Sequence, residues 1–217
     1  MDTGGCVRGP AGRDRPDRHG DRPADGDARP GPAAVSRLVI LDRDGVLNRD
    51  LPQGVLARTD LMILPGAPEA VARLNRAGYL VAVASNQSAV GKGLLGLGEL
   101  EAINVDLEAA LARAGGHLDA LVVCTDAPEA PTRRRKPGPG MIEEILHRFE
   151  AAPAETPVIG DALRDLQAAA AVGCPRMLVR TGKGRATEMS GLPAEVLPVT
   201  VHDDLAAAVE ALLAAGR

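Results

Sequence analysis

Aromatic side chains are almost missing from this sequence: no Trp, one Tyr and one Phe among 217 residues. Tyr79 and Phe149 give too few stacking platforms for a protein that reads exposed bases, so no nucleic-acid partner is expected. Charge of one sign is scarce as well. The formal net charge is −4, too mild to point to a polyanionic partner. No apolar run approaches the roughly 20 residues that a membrane-crossing helix requires, so no membrane partner is expected either. Cysteine is limited to Cys6, Cys124 and Cys174. Three widely spaced thiols do not make a disulfide framework and fit a reducing compartment, so a cytoplasmic location is expected. With aromatics absent, the core has to be built from Ala, Val, Leu and Ile.

The first segment lacks something else, namely apolar side chains. Met1 to Ala34 holds seven Gly, five Pro, six Asp and six Arg, with Cys6 and Val7 almost alone as bulky apolar residues. Such a segment cannot bury enough surface to offset chain entropy, and a disordered tail is predicted over residues 1–35. A start of translation near Val35 is the alternative. The tail has no apolar centre, so it is not a secretory signal. Residues 36–217 are predicted to form one domain.

Within that domain short apolar runs alternate with longer Ala/Leu/Glu/Arg segments. The runs are RLVILD (37–42), YLVAVAS (79–85), LDALVVC (118–124), TPVIGD (156–161) and RMLVR (176–180). Their near-continuous apolarity suits strands covered on both faces. Helical patterns occupy 67–78, 97–115, 138–150, 161–173 and 201–216, and Gly78, Gly115 and Gly173 sit where helices stop. The alternation predicts an α/β fold, a doubly wound and mostly parallel sheet. In such sheets ligands bind beyond the carboxyl ends of the strands. That rule gathers Asp42 and Asp44 from the first strand, Ser85 and Asn86 from the second, and Asp161 from the fourth.

Read alone, DRDG after a strand is as easily a turn as a site. Asp42 and Asp44 are two apart, however, and on an extended chain both face one region, where their repulsion calls for a cation. An all-oxygen set suits Mg²⁺, and Asp42, Asp44 and Asp161 are the expected ligands. A carboxylate fixed at a strand end can also attack phosphorus. Asp42 is the expected nucleophile, and Asp44 the group that protonates the departing oxygen and then activates water. Arg43 between them is expected to point the other way, in a structural role. Ser85, Asn86 and Lys136 would supply donors and positive charge to the phosphoryl oxygens. Pro137 and Gly138 favour a fixed presentation of Lys136 over a solvated basic run. Asp165, one turn beyond Asp161, is left open between a contact to the metal's shell or a lysine and a plain surface acid near a helix start.

DRDGVLN, ASNQ, RKPGPGM and GDALRD, in this order, resemble the four motifs of the haloacid dehalogenase (HAD) superfamily of phosphatases, over essentially all of residues 36–202. LDRDGVLN, SNQSAVGKG, RKPGPGM and MLVRTGKG resemble more closely the subfamily of D-glycero-D-manno-heptose 1,7-bisphosphate 7-phosphatases, with histidinol-phosphate phosphatases as near relatives. The resemblance implies Mg²⁺-dependent hydrolysis of a small phosphorylated sugar through an aspartyl-phosphate on Asp42, with Ser85 and Lys136 steadying the phosphoryl group. It implies substrate contacts from Arg135, from Asn86, Gln87 and Ser88, and from a flap around Asn48 and Asp50. Histidinol phosphate or another small phosphomonoester is the alternative substrate, and a non-catalytic phosphate-binding module the non-enzymatic reading.

The sequence departs from that subfamily where many members carry a zinc loop of Cys-x-His and Cys-x-Cys. Here only Cys124 remains, with Asp126, Thr132 and Arg134 in the other places, and one thiol cannot make a four-ligand site. No zinc is expected, and the loop is expected to be held by Pro128 and Pro131. Arg133 and Arg134 are left open between a second anion site and a solvated pair. No long insert separates the motifs, so no large cap domain is expected, and the assembly is expected to be a monomer or small homo-oligomer.

Overall fold

The computed structural model describes residues 37–215, so the tail expected over 1–35 lies outside the described residues. Six parallel strands form one sheet: β1 (Arg37–Leu41), β2 (Tyr79–Asn86), β3 (Ala120–Cys124), β4 (Val158–Gly160), β5 (Arg176–Val179) and β6 (Val199–His202), in the order β3-β2-β1-β4-β5-β6. The helices are α1 (Ala67–Arg76), α2 (Ser88–Gly91), α3 (Leu97–Arg113), α4 (Gly140–Arg148), α5 (Leu163–Ala171), α6 (Gly184–Met189) and α7 (Leu205–Ala215). The doubly wound α/β expectation holds.

Strand pleating explains the layers. Val39 and Leu41 project to one face and pack with Val71 and Leu74 of α1, Leu107 and Leu111 of α3, and Leu205 and Val209 of α7. Leu38 and Ile40 project to the other and pack with Met141, Ile142 and Ile145 of α4 and Ala168 and Ala169 of α5. Every strand of β1's neighbourhood is thus covered twice, as its unbroken apolarity requires. Small and branched side chains fill both layers, so the core closes with Tyr79 as its one buried aromatic ring.

One element differs from expectation. Residues 201–216 read as a single helix, yet Val199–His202 pairs with β5 as an edge strand, and α7 begins only at Leu205. The Asp204 carboxylate accepts from the Ala207 N–H at 2.8 Å, so the helix starts at an acidic cap that the sequence displayed.

The chain crosses over at β1. It runs outward through β2 and β3, then returns to place β4 on β1's free side. The crevice at this switch point lies beyond Leu41 and Gly160, where Asp42 and Asp161 follow. Between β1 and α1 the chain forms a loop with one 3-10 turn, Arg58–Asp60, and no inserted domain. Its base is clasped by Arg49 N–H to Met62 O at 2.8 Å and Leu64 N–H to Leu47 O at 2.9 Å. Among the described residues no helix is long and apolar enough to cross a membrane.

Candidate active site

Asp42 leaves β1 with its carboxylate buried, and Oδ1 is held by two donors: the Arg43 N–H at 2.7 Å and the Lys136 ammonium at 3.0 Å. Lys136 also reaches Asp165 Oδ1 at 2.7 Å and donates to the Ala84 carbonyl at 2.7 Å. One ammonium therefore bridges two carboxylates, all three side chains being almost fully out of water. Asp165 answers the open question about its role: it is no surface acid. Its Oδ2 also accepts from the Ala162 N–H at 3.0 Å, closing the first turn of α5.

Asp161 is placed by two glycines. Gly45 and Gly182 lie side by side against its carboxylate at φ values of +88° and +56°, and a Cβ at either would collide with Asp161 Oδ2. The DRDG and RTGK stretches thus each supply the bare backbone that lets this acid stand in the crevice. Lys183 N–H donates to Oδ2 at 2.7 Å, whereas Oδ1 is buried with no partner.

Oxygens of Asp42, Asp161 and Asp165 lie within 4.8 Å of one another. The expected ligand set was Asp42, Asp44 and Asp161. The Asp44 carboxylate is not part of this cluster, and Asp165 is. The reason is Arg43. It lies past the end of β1, and its long, fully buried side chain donates from Nη2 to Asp44 Oδ1 at 2.9 Å and Oδ2 at 3.1 Å. Asn48 Nδ2 and Gln87 Nε2 complete the clamp on Asp44 at 2.8 and 2.7 Å. Arg43 is anchored in turn by Gln87 Oε1 and by Asn104 of α3, at 3.0 and 3.1 Å. Arg43 therefore points at Asp44, and not away from it as the strand alternation suggested.

The charges follow from this wiring. Burial, with Asp165 adding to it against the pull of Lys136, pushes the Asp42 carboxyl up to about 6. Burial, together with Asp42 and Asp165 nearby, pushes Asp161 up to about 7. Burial acts the same way on Asp165 and Asp44, but is outweighed. Lys136 and Arg164 hold Asp165 below the usual carboxylate range, and Arg43 with the hydrogen bonds from Asn48 and Gln87 does so for Asp44. Two acids are thus already neutralised by protein cations, and two are left short of positive charge. An orphaned Asp161 oxygen inside an all-oxygen cluster fits a hard divalent cation.

The cleft above this floor has a volume of about 200 Å³, and Asp42, Asp44, Asp50, Asn86, Gln87, Ser88, Arg135, Arg164 and Lys183 reach it. Ser85 and Asn48 do not line it. Ser85 Oγ is buried and accepts from Gln87 Nε2 at 2.8 Å, and Asn48 is buried behind Asp44. Asn86 spends both ends of its amide on the Lys136 backbone, donating to its carbonyl at 2.9 Å and accepting from its N–H at 3.1 Å. Several residues expected to touch substrate thus hold the residues that face it. Asp50 does reach the mouth, where it pairs with Lys183 at 2.7 Å. Lys183 and Arg164 were given no role from sequence. Each stands in a stretch marked by its acids or glycines, and only the fold aims it at the cleft.

The loop over 125–135 is closed by Thr132 N–H donating to Asp126 Oδ2 at 2.7 Å and by Arg135 donating to the Asp126 carbonyl at 3.0 Å. Hydrogen bonds, in addition to Pro128 and Pro131, shape it. Arg133 and Arg134 pair with Glu143 and Glu144 of α4 and do not line the cleft.

Comparison with known proteins agrees with this geometry. A family model described as "HAD-hyrolase-like" matches residues 133–208. The D-glycero-beta-D-manno-heptose-1,7-bisphosphate 7-phosphatase of Bordetella bronchiseptica is 44% identical over 178 residues, covering 82% of this chain and 98% of that protein. The enzyme of the same name from Pseudomonas putida is 39% identical, covering 82% and 99%. The crystal structure of the D,D-heptose 1,7-bisphosphate phosphatase from B. bronchiseptica, complexed with magnesium and phosphate, superposes with a TM-score of 0.79 at 43% identity, covering 82% of this chain and 99% of that one. That from Burkholderia thailandensis gives 0.64 at 43% identity, covering 82% and 98%. With relatives this similar matched over nearly their whole length, the chain belongs to the HAD-like hydrolases, within the family of the heptose-bisphosphate phosphatases.

Proposed function

We propose that this chain removes the 7-phosphate of D-glycero-β-D-manno-heptose 1,7-bisphosphate in a Mg²⁺-dependent reaction. The observation that carries the chemistry is the buried Asp42 carboxylate, whose Oδ1 is held by Lys136 and the Arg43 N–H while Oδ2 makes no hydrogen bond. Family membership carries the substrate. Oδ2 attacks phosphorus, the bond from phosphorus to the sugar oxygen breaks, and an aspartyl-phosphate forms on Asp42. Asp44 gives a proton to the departing oxygen, then takes one from the water that cleaves the acyl-phosphate. The clamp on Asp44 keeps it ionised in the free protein, which is the state the water step uses. The anionic phosphate entering the cleft raises Asp44's affinity for the proton that the first step needs.

Asp42, Asp161 and Asp165 are the side chains that would hold Mg²⁺, and the ion would offset charge on the phosphoryl oxygens. Lys136 holds Asp42 and Asp165 apart, and Asn86 fixes the backbone that presents Lys136. Ser88, Arg135, Asp50 and Lys183 face the remainder of the sugar. No structural zinc is part of this reading, because the loop after Cys124 offers a single thiol and closes through Asp126. The buried free thiols Cys124 and Cys174 suit a cytoplasmic setting.

Phosphate release from a panel of phosphorylated sugars and amino alcohols tests the reading. The heptose bisphosphate is expected to give the highest kcat/KM, with activity lost on chelation and restored by Mg²⁺. Histidinol phosphate winning by a wide margin would overturn the substrate, and full activity after removal of divalent metal would overturn the mechanism.

A further inference from the structure

Arg164 stands at the second position of α5, facing the cleft with its side chain 32% exposed. Three observations set it apart. Its Nη2 lies 4.0 Å from Asp42 Oδ2 and its Nε 4.0 Å from Asp165 Oδ1, close enough for attraction and too far for a hydrogen bond to either. Its Nε is buried and has no hydrogen-bond partner, a costly state for a charged donor. It also sits at the positive end of a helix, where a cation is disfavoured and an anion welcome. Four of the other cations at the site are engaged, and a fifth, Lys92, lines the cleft wall. Arg43 is spent on Asp44, Gln87 and Asn104, Lys136 on Asp42 and Asp165, Lys183 on Asp50, and Arg135 donates to the Asp126 carbonyl.

We propose that Arg164 is a phosphoryl-binding residue, its planar fork donating to oxygens of the phosphate that Asp42 attacks. The position selects the reacting phosphate. A phosphorus poised for attack lies about 3–3.5 Å from the attacking oxygen, and Arg164 is within 4.0 Å of Asp42 Oδ2, so the oxygens on that phosphorus come within the fork's reach. A guanidinium matches such oxygens two at a time, which an ammonium cannot do. In the free protein the neighbouring carboxylates keep Arg164 in place without using its donors, so the contact to phosphate displaces no existing hydrogen bond.

This inference rests on the phosphatase reading, and the test separates the two. Arg164→Gln and Arg164→Lys are compared with the unaltered protein in Mg²⁺, using the heptose bisphosphate, p-nitrophenyl phosphate as a substrate with one phosphate, and calorimetric titration with inorganic phosphate. Arg164→Gln is expected to lower kcat about 10²-fold on both substrates, as loss of a transition-state donor does, with KM raised by no more than about tenfold. Phosphate affinity is expected to fall about tenfold. Arg164→Lys is expected to recover only a small part of the rate. Loss confined to the bisphosphate would place Arg164 at the other phosphate and overturn the proposal. Full recovery by Arg164→Lys would reduce it to a diffuse charge, and unchanged kcat in Arg164→Gln would remove it altogether. If the unaltered protein hydrolyses neither substrate, the phosphatase reading falls, and the phosphate titration alone still decides for or against Arg164.

Discussion

Lys136 on the floor of the cleft and Lys183 at its rim are the same residue in two different settings. Lys136 is 2% exposed and bonded to Asp42, Asp165 and the Ala84 carbonyl, while Lys183 is 49% exposed with the single partner Asp50. On the floor Asp42, Arg43, Lys136, Asp161 and Asp165 are dry and most are held from more than one side, so the reacting geometry is set before substrate arrives. At the rim a lone ion pair meets water, contributes little, and can open. Floor and rim thus divide the work: one fixes the chemistry, the other admits and sorts what reaches it.

Breaking the floor should cost most. Lys136→Met leaves Asp42 and Asp165 buried without their shared cation, and removing one partner of a buried pair typically costs about 3–5 kcal/mol. A loss of that size in denaturant unfolding is expected, with kcat reduced more than about 10²-fold. Unchanged stability would show that the floor is wetter than its wiring implies. Gln87→Leu probes the next layer, because it removes one hydrogen bond from Asp44 and one from Arg43. Bonds to charged groups contribute about 1.5–3 kcal/mol, and phosphate-release assays are expected to show kcat down about tenfold with KM nearly constant. A change in KM alone would move Gln87 to the rim. Lys183→Ala should do the least. Stability is expected to stay within about 1 kcal/mol, and KM for the bisphosphate to rise a few-fold at constant kcat. A large fall in kcat there would erase the distinction between the two regions.

The floor was largely legible in the sequence. Asp42 and Asp161 announce themselves because a parallel sheet must bring its strand ends together, whatever the details of packing, and Lys136 because Pro137 and Gly138 favour its fixed presentation. What failed to show was direction. Strand alternation points Arg43 away from Asp44, but Arg43 lies past the end of β1, and its long side chain reaches both Asp44 and Asn104 of α3. Asn48 carries the same polar groups as a substrate-binding residue, and only burial puts it behind Asp44, while Asn86 reaches the cleft yet spends its amide on the Lys136 backbone. Asp165 was undecided because one helical turn can aim an acid at a lysine or at solvent. The missed edge strand β6 has a similar cause. VTVH is only four residues long and partly exposed, and its second half, Val201 and His202, runs into the strong helical pattern that follows it. The cap at Asp204 was the available signal. At the rim, Arg133 and Arg134 show how little a charge run says about function, since both turn to acids of α4 and leave the cleft to Arg135.

The central claim is that the floor is built around Asp42 as a nucleophile, and trapping tests it most directly. The protein is mixed with heptose bisphosphate labelled in its 7-phosphate, quenched in acid during turnover, and digested for peptide mapping. The account predicts base-labile label on the peptide carrying Asp42 and none in Asp42→Asn, which should also release no phosphate. Phosphate release that continues in Asp42→Asn, or label on a different residue, would contradict it.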